Sequence, residues 1–200
     1  MIRKFLYILS FIFMITPLQA KTILVLGDSL SAAYGIEENQ GWVSLLKERL
    51  KEESLPYQVV NYSTSGDTTR NGLAKLPEAL SKHKPDIVII ELGANDGLRG
   101  LSIPELKRNL EKLIVQSQDR SAKVLLLATL LPPNYGASYL AKYKQVYVDL
   151  SQQYQTLLIP MFLEGVAGNP TWMQSDGLHP NQKAQVKILN NIWPVLKQML

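Results

Sequence analysis

The chain has 200 residues, 46% of them hydrophobic, with 21 basic side chains, 17 acidic ones and no cysteine. That is enough apolar material for one packed domain and too much for a disordered chain. The missing cysteine excludes disulfides, a thiol nucleophile, a lipidated N-terminal cysteine and thiolate metal sites, and no basic cluster with interleaved aromatics points to nucleic acid.

Residues 1–20 read as a secretory signal peptide. Arg3 and Lys4 precede an apolar run from Phe5 to Ile15, which Thr16-Pro17 breaks before the small Ala20. As a helix this run would span about half of a hydrocarbon core, which favours a cleaved signal over the alternative of an uncleaved anchor. Arg3 and Lys4 also carry two of the net +4 charges, so residues 21–200 are nearly neutral. The expected products are an exported domain, residues 21–200, with no stable membrane anchor, and a periplasmic or secreted location.

Thr22 to Leu26 is a short Ile/Leu/Val run without alternation, the pattern of a strand buried on both faces. It stops at Gly27-Asp28-Ser29. From Trp42 to Leu50 the apolar spacing is helical. Tyr57 to Asn61 reads as a second strand and runs into a polar loop containing Ser63, Ser65 and Gly66. Leu73, Leu76 and Leu80 mark a helix that stops near His83-Lys84-Pro85, which puts His83 in solvent. Asp86 to Leu92 is the clearest strand and opens into Gly93-Ala94-Asn95-Asp96-Gly97.

Pro104 suits an early helix position, and Leu106, Leu110, Leu113 and Ile114 form one helical face. Lys123 to Leu130 is a fourth strand, followed by a loop from Leu131 to Gly136. Residues 138–153 have helical spacing, and Thr156 to Met161 is a short fifth strand. A long loop then reaches Asp176-Gly177-Leu178-His179-Pro180. A last helix starts near Asn181, and Pro194 predicts a break or kink near Trp193.

Strands alternating with helices imply right-handed crossovers and a parallel sheet covered on both faces. Ligands of such folds sit outside the carboxyl ends of the strands. Ser29, Gly66 and Asn95 each follow a strand, so all three belong to that edge.

A serine hydroxyl needs a base within hydrogen-bond reach to act as a nucleophile. His179 has Asp176 three residues before it, close enough to fix its tautomer. The Ser29 and Gly66 amides and the Asn95 side chain are available as oxyanion donors. Each residue also has a bland reading: Asp176 and His179 as caps of the last helix, Gly66 as a turn glycine, Asn95 as a helix N-cap.

Taken together, four blocks in order resemble the SGNH (GDSL) hydrolase superfamily: Gly27-Asp28-Ser29-Leu30-Ser31, Asn61 to Thr68 with Ser63, Ser65 and Gly66, Gly93-Ala94-Asn95-Asp96, and Asp176 to Pro180. Gly97 to Leu101, Pro132 to Gly136 and Trp172 to Asp176 narrow the resemblance to the bacterial multifunctional acyl-CoA thioesterase I / lysophospholipase L1 / protease I group. It covers residues 21–200, with Ala94 where the group often has a second glycine. The resemblance implies a flavodoxin-like three-layer α/β/α sandwich with a five-stranded parallel sheet of order 2-1-3-4-5. It implies Ser29 as nucleophile, His179 as base and then acid, and Asp176 as orienter. Gly66 and Asn95 would join the Ser29 amide in the oxyanion hole, with no metal or cofactor. Asp28 gains no catalytic role from it.

The expected reaction is hydrolysis of esters and thioesters of acyl chains, lysophospholipids among them, by a monomer acting on small molecules. Apolar loop residues at the same edge, Leu98, Leu101, Leu131, Pro133 and Tyr135, are the expected acyl pocket. Gly97 and Gly100 are expected to let the first loop move over an acyl chain. Trp172 and Met173 are divided between pocket and core. The alternatives are a carbohydrate acetylesterase or arylesterase of the same superfamily, and a non-catalytic flavodoxin-like binding module. The second lacks a Walker or Gly-x-Gly-x-x-Gly pattern.

Overall fold

A computed structural model describes residues 20–200. The expected signal peptide lies outside the described residues apart from Ala20. The strands are β1 (Lys21–Gly27), β2 (Tyr57–Asn61), β3 (Ile87–Glu91), β4 (Lys123–Leu127) and β5 (Leu157–Ile159). They form one sheet of order β2-β1-β3-β4-β5, with every neighbouring pair parallel. This is the order that the resemblance implies.

The helices are α1 (Trp42–Glu52), α2 (Thr69–His83), α3 (Ala94–Leu98), α4 (Ile103–Gln118), α5 (Ala137–Gln153) and α6 (Gln185–Leu196). Alternation along the strands divides the core in two. Ile23, Val25, Ile87, Ile89, Leu125 and Leu127 face α1 and α6. Leu24, Leu26, Val88, Ile90, Val124 and Leu126 face α2, α4 and α5. Both faces are covered, which is why the strands read as unbroken apolar runs rather than alternating ones.

Local chemistry sets the helix ends that matter for the site. Thr68 caps α2, its hydroxyl and the Asn71 side chain forming a reciprocal capping box. Lys84 then ends the helix in a left-handed conformation. Trp42, at the start of α1, donates its backbone N–H to the buried Gln185 side chain of α6, 3.1 Å away. One helix on that face thereby supplies the cap of the other.

Four expectations need correction. The strand expected over 123–130 ends at Leu127, and the one expected over 156–161 is only Leu157–Ile159. β4 and β5 diverge there, keeping single bonds from Ala128 N–H to Ile159 and from Phe162 N–H to Ala128. Of the break or kink expected near Trp193, the break does not occur: α6 runs through Pro194 to Leu196. Pro194 is exposed, while Ile192, Leu196 and Met199 stay buried and hold the helix across it. Nor does His83 stand free in solvent; it is half-buried, edge-on to Tyr62 at 5.9 Å.

Candidate active site

β1 delivers Ser29 to the carboxyl edge of the sheet, and the loop before α6 brings His179 to it. His179 Nε2 stands 2.9 Å from Ser29 Oγ, and its Nδ1 stands 2.7 Å from Asp176 Oδ2. The second Asp176 oxygen accepts the backbone N–H groups of Leu178 and His179, at 2.9 and 3.0 Å. The His179 backbone and side-chain hydrogen bonds hold the Asp176 carboxyl down at about 2. An ionised Asp176 fixes the tautomer: Nδ1 carries the proton and donates it, so Nε2 is free to accept from the Ser29 hydroxyl.

The His179 loop is pinned at several points. Met173 and Pro180 form an antiparallel bridge, and Gln174 N–H donates to the His179 carbonyl at 2.7 Å. The Gln174 side-chain amide spans two loops, donating to the Tyr34 carbonyl at 2.7 Å and the Pro180 carbonyl at 3.1 Å. Tyr34 lies against the imidazole, ring centroids 4.4 Å apart. Gly177, with φ +67°, makes the turn that lets the Asp176 carboxylate fold back on its own histidine.

β2 and β3 supply the other two loops. Gly66 has φ +83°, so the turn-glycine reading holds for its backbone. Among the described residues, neither the Ser29 nor the Gly66 N–H donates to a protein acceptor. Asn95 lies inside the short helix α3, whose cap position is Gly93 at φ +116°; the N-cap reading of Asn95 therefore fails. The Asn95 amide nitrogen donates to Asp28 Oδ2 and to the Asp67 carbonyl, both at 3.0 Å.

The Gly66 and Asn95 loops are tied to each other. Arg99 donates to the Gly66 carbonyl at 2.9 Å. The buried Asp96 accepts from the Thr69 N–H at 2.8 Å and the Thr69 hydroxyl at 2.6 Å. Lys75 pairs with Asp67 and donates to the Tyr62 carbonyl and the Thr64 hydroxyl, each at 3.0 Å.

Ser29, Asn95 and His179 open onto a cavity of about 500 Å³. Its far wall is apolar: Leu98, Leu131, Pro133, Met161, Leu163 and Met173. Of the residues expected to form an acyl pocket, Leu98, Leu131 and Pro133 line this cavity. Leu101 and Tyr135 stand off the wall. The Tyr135 hydroxyl donates to the Leu98 carbonyl at 2.6 Å, and the Tyr139 hydroxyl donates to the Leu101 carbonyl at 3.1 Å. Both contacts hold the backbone of the first loop. Gly97 belongs to α3, where a Cβ would lie 2.4 Å from Leu131, so close packing already demands a glycine there. Trp172 packs against the core beside α6.

Compared with known proteins, residues 25–186 match the model of the GDSL-like lipase/acylhydrolase family. The chain belongs to that family.

The similarity extends over nearly the whole chain. Esterase TesA of Pseudomonas aeruginosa is 50% identical over 181 residues, 90% of each chain. The thioesterase 1/protease 1/lysophospholipase L1 of Escherichia coli is 41% identical over 166 residues, 83% of this chain and 78% of that one. The crystal structure of TesA matches with a TM-score of 0.88, covering 90% of this chain and all of the other. The psychrotrophic esterase EstA of Pseudoalteromonas, solved inhibited by monoethylphosphonate, matches at 39% identity with a TM-score of 0.86, over 89% and 97% of the two chains. This GDSL-family chain is an ester hydrolase.

Sequence reasoning missed part of the site. Met161 and Leu163 were not singled out, although the rule that placed Ser29 and Asn95 also puts residues after β5 at the same edge. In the sequence, Glu91 reads only as part of a strand. A carboxyl inside a run otherwise made of Ile, Val and Leu was the available signal.

Proposed function

We propose that the chain is an exported serine hydrolase that cleaves esters and thioesters of acyl chains through an acyl-serine intermediate. One observation carries this reading: the Ser29–His179–Asp176 hydrogen-bonded series stands at the mouth of an apolar cavity of about 500 Å³. A cavity of that size suits a medium or long acyl chain better than an acetyl group.

In this mechanism Ser29 Oγ attacks the carbonyl carbon while His179 Nε2 takes its proton. Asp176 stabilises the imidazolium and does not itself become protonated. The developing oxyanion is met by the unengaged Ser29 and Gly66 amides. Asn95 joins them by turning one N–H from its Asp67 or Asp28 partner to the substrate oxygen. Each such donor is worth roughly 3–4 kcal/mol of barrier lowering. His179 then protonates the leaving alcohol, or lets a thiol depart with less help, since a thiol has a pKa near 8.5. Water, activated by the same imidazole, releases the acid from Ser29.

Export rests on the signal pattern of residues 1–20, and the periplasm is the location proposed. Among the described residues no helix is long and apolar enough to cross a membrane. Ser29, His179, Asp176 and Asn95 all come from one chain, which supports action as a monomer. Long-chain acyl thioesters and lysophospholipids are the proposed substrate class. Comparing palmitoyl-CoA, a lysophospholipid, and acetyl and long-chain nitrophenyl esters tests it. Hydrolysis of the long-chain set supports the reading, and a strict acetyl preference contradicts it.

A further inference from the structure

Asp28 and Glu91 form a carboxyl pair directly behind the nucleophile. Glu91 ends β3 and is paired in register with Gly27 of β1. Each side chain is only 1% exposed, and among the described residues no lysine or arginine is paired with either. Glu91 Oε2 accepts two hydrogen bonds, from Asp28 N–H at 3.2 Å and from the Ser31 hydroxyl at 2.8 Å. Asp28 Oδ1 accepts from Leu30 N–H and Oδ2 from the Asn95 amide, both at 3.0 Å.

The Glu91 carboxyl sits on the Asp28 backbone N–H, so two buried carboxyl groups share one site with no cation beside them. Two ionised carboxylates so placed repel each other and cannot both stay charged, so one of the pair is an acid. The bonding pattern says which one. All four donors around the pair are satisfied if Asp28 is the carboxylate and Glu91 the acid, with Oε2 as its carbonyl oxygen and Oε1 left to carry the proton. Gly27 is the space the pair requires: a Cβ there would lie 2.7 Å from both Glu91 Oε2 and Ser31 Oγ.

We propose that Glu91 is a positioning residue, a neutral acid that donates its proton to the Asp28 carboxylate, so that the pair carries one negative charge and aims the Asn95 amide and the Ser29 turn. This rests on the reading of Ser29, Asn95 and His179 given above. With one charge, Asp28 holds Asn95 and favours the imidazolium on His179. With two, the site would repel the oxyanion. With none, Asn95 would lose its anionic partner.

The surroundings agree. Burial pushes Asp28 up to about 6, an effect partly offset by Leu30 N–H, Glu91, His179 and Asn95. Burial, with the adjacent Asp28, pushes Glu91 well above the usual carboxylate range. The other titratable groups that feel the pair are Tyr143 and Tyr147 of α5, neither of which supplies a positive charge.

Glu91→Gln is the decisive variant, because glutamine copies the acid and not the carboxylate. Its oxygen accepts from Asp28 N–H and Ser31, and its NH2 donates to Asp28. Glu91→Gln is expected to keep kcat/KM within about threefold of wild type, whereas Glu91→Leu lowers kcat by about a hundredfold with KM little changed. Infrared difference spectra between wild type and Glu91→Gln at about pH 7, where a free glutamate is ionised, are expected to show the carbonyl stretch of a protonated carboxylic acid. That band persists in Ser29→Ala, because it does not depend on catalysis. If Glu91→Leu does not fold, Glu91→Gln and the infrared band still decide. Absence of the band, or a Glu91→Gln as impaired as a folded Glu91→Leu, overturns the proposal. Loss of Ser29 as the nucleophile would show separately, as activity surviving in Ser29→Ala.

Discussion

Asn95 is held by Asp28: its side-chain amide donates to the Asp28 carboxylate at 3.0 Å and, with its other hydrogen, to the Asp67 carbonyl at the same distance. The amide is therefore held in place before any substrate arrives, and it has only to turn one N–H from Asp67 or Asp28 to the substrate oxygen. Asn95→Ala is expected to lower kcat by about 10²–10³, with a smaller effect on KM. Steady-state kinetics on a nitrophenyl ester measure this. A kcat within a few-fold of wild type would remove Asn95 from the oxyanion site.

Asp176 holds the imidazole tautomer, so Asp176→Asn is expected to lower kcat by roughly 10⁴ while leaving the fold intact. The pH dependence follows from its depressed pKa. The folded value, about 2, lies below the ordinary 3.8, so the stabilisation from the ionised carboxylate is fully present above 3.8 and is lost as pH falls toward 2. Asp176 stays ionised throughout the range where activity is measured, and acid loss of activity belongs to groups that titrate higher, among them Asp28. Urea denaturation of wild type and Asp176→Asn as a function of pH checks the sign. The stability gap is expected to be constant above about pH 5 and to shrink below it.

Met161 and Leu163 form part of the apolar wall, together with Leu131 and Pro133. Filling that wall discriminates by chain length rather than by chemistry. Met161→Trp is expected to reduce kcat/KM for long-chain esters by about tenfold or more and to spare the acetyl ester. Equal loss on both substrates would mean that the acyl chain does not enter this cavity.

The ring of Tyr34 rests against the His179 imidazole and is half exposed at the mouth of the site. An aromatic contact of this kind is worth about 0.5–1.5 kcal/mol beyond its buried area. Tyr34→Ala is expected to lower kcat several-fold, and Tyr34→Phe to leave it close to wild type, because the ring and not the hydroxyl makes the contact. A Tyr34→Phe as slow as Tyr34→Ala would assign the effect to the hydroxyl.

The strands were legible because both of their faces are buried, which leaves an unbroken apolar run as the signature. The carboxyl edge was legible for the same reason: once the sheet is parallel, whatever follows each strand arrives at one rim. Residues whose place depends on side-chain direction were not legible. Leu101 and Tyr135 lie in the expected loops, but hydrogen bonds between tyrosine hydroxyls and loop carbonyls turn that loop so that Leu98 faces the cavity. Gly97 reads as a hinge from the sequence, which does not reveal that it lies in α3 close against Leu131. Glu91 was hidden by its strand: nothing in the local pattern says that a carboxyl 63 positions from Asp28 will lie against it.

The central claim is a covalent acyl-enzyme on Ser29, and intact-protein mass spectrometry of an acid-quenched reaction with a long-chain acyl thioester tests it most directly. The expected result is an adduct of one acyl group, mapped by peptide analysis to Ser29, and absent in an inactive Ser29→Ala. Turnover without any adduct on Ser29, together with wild-type rates in Ser29→Ala, would contradict it.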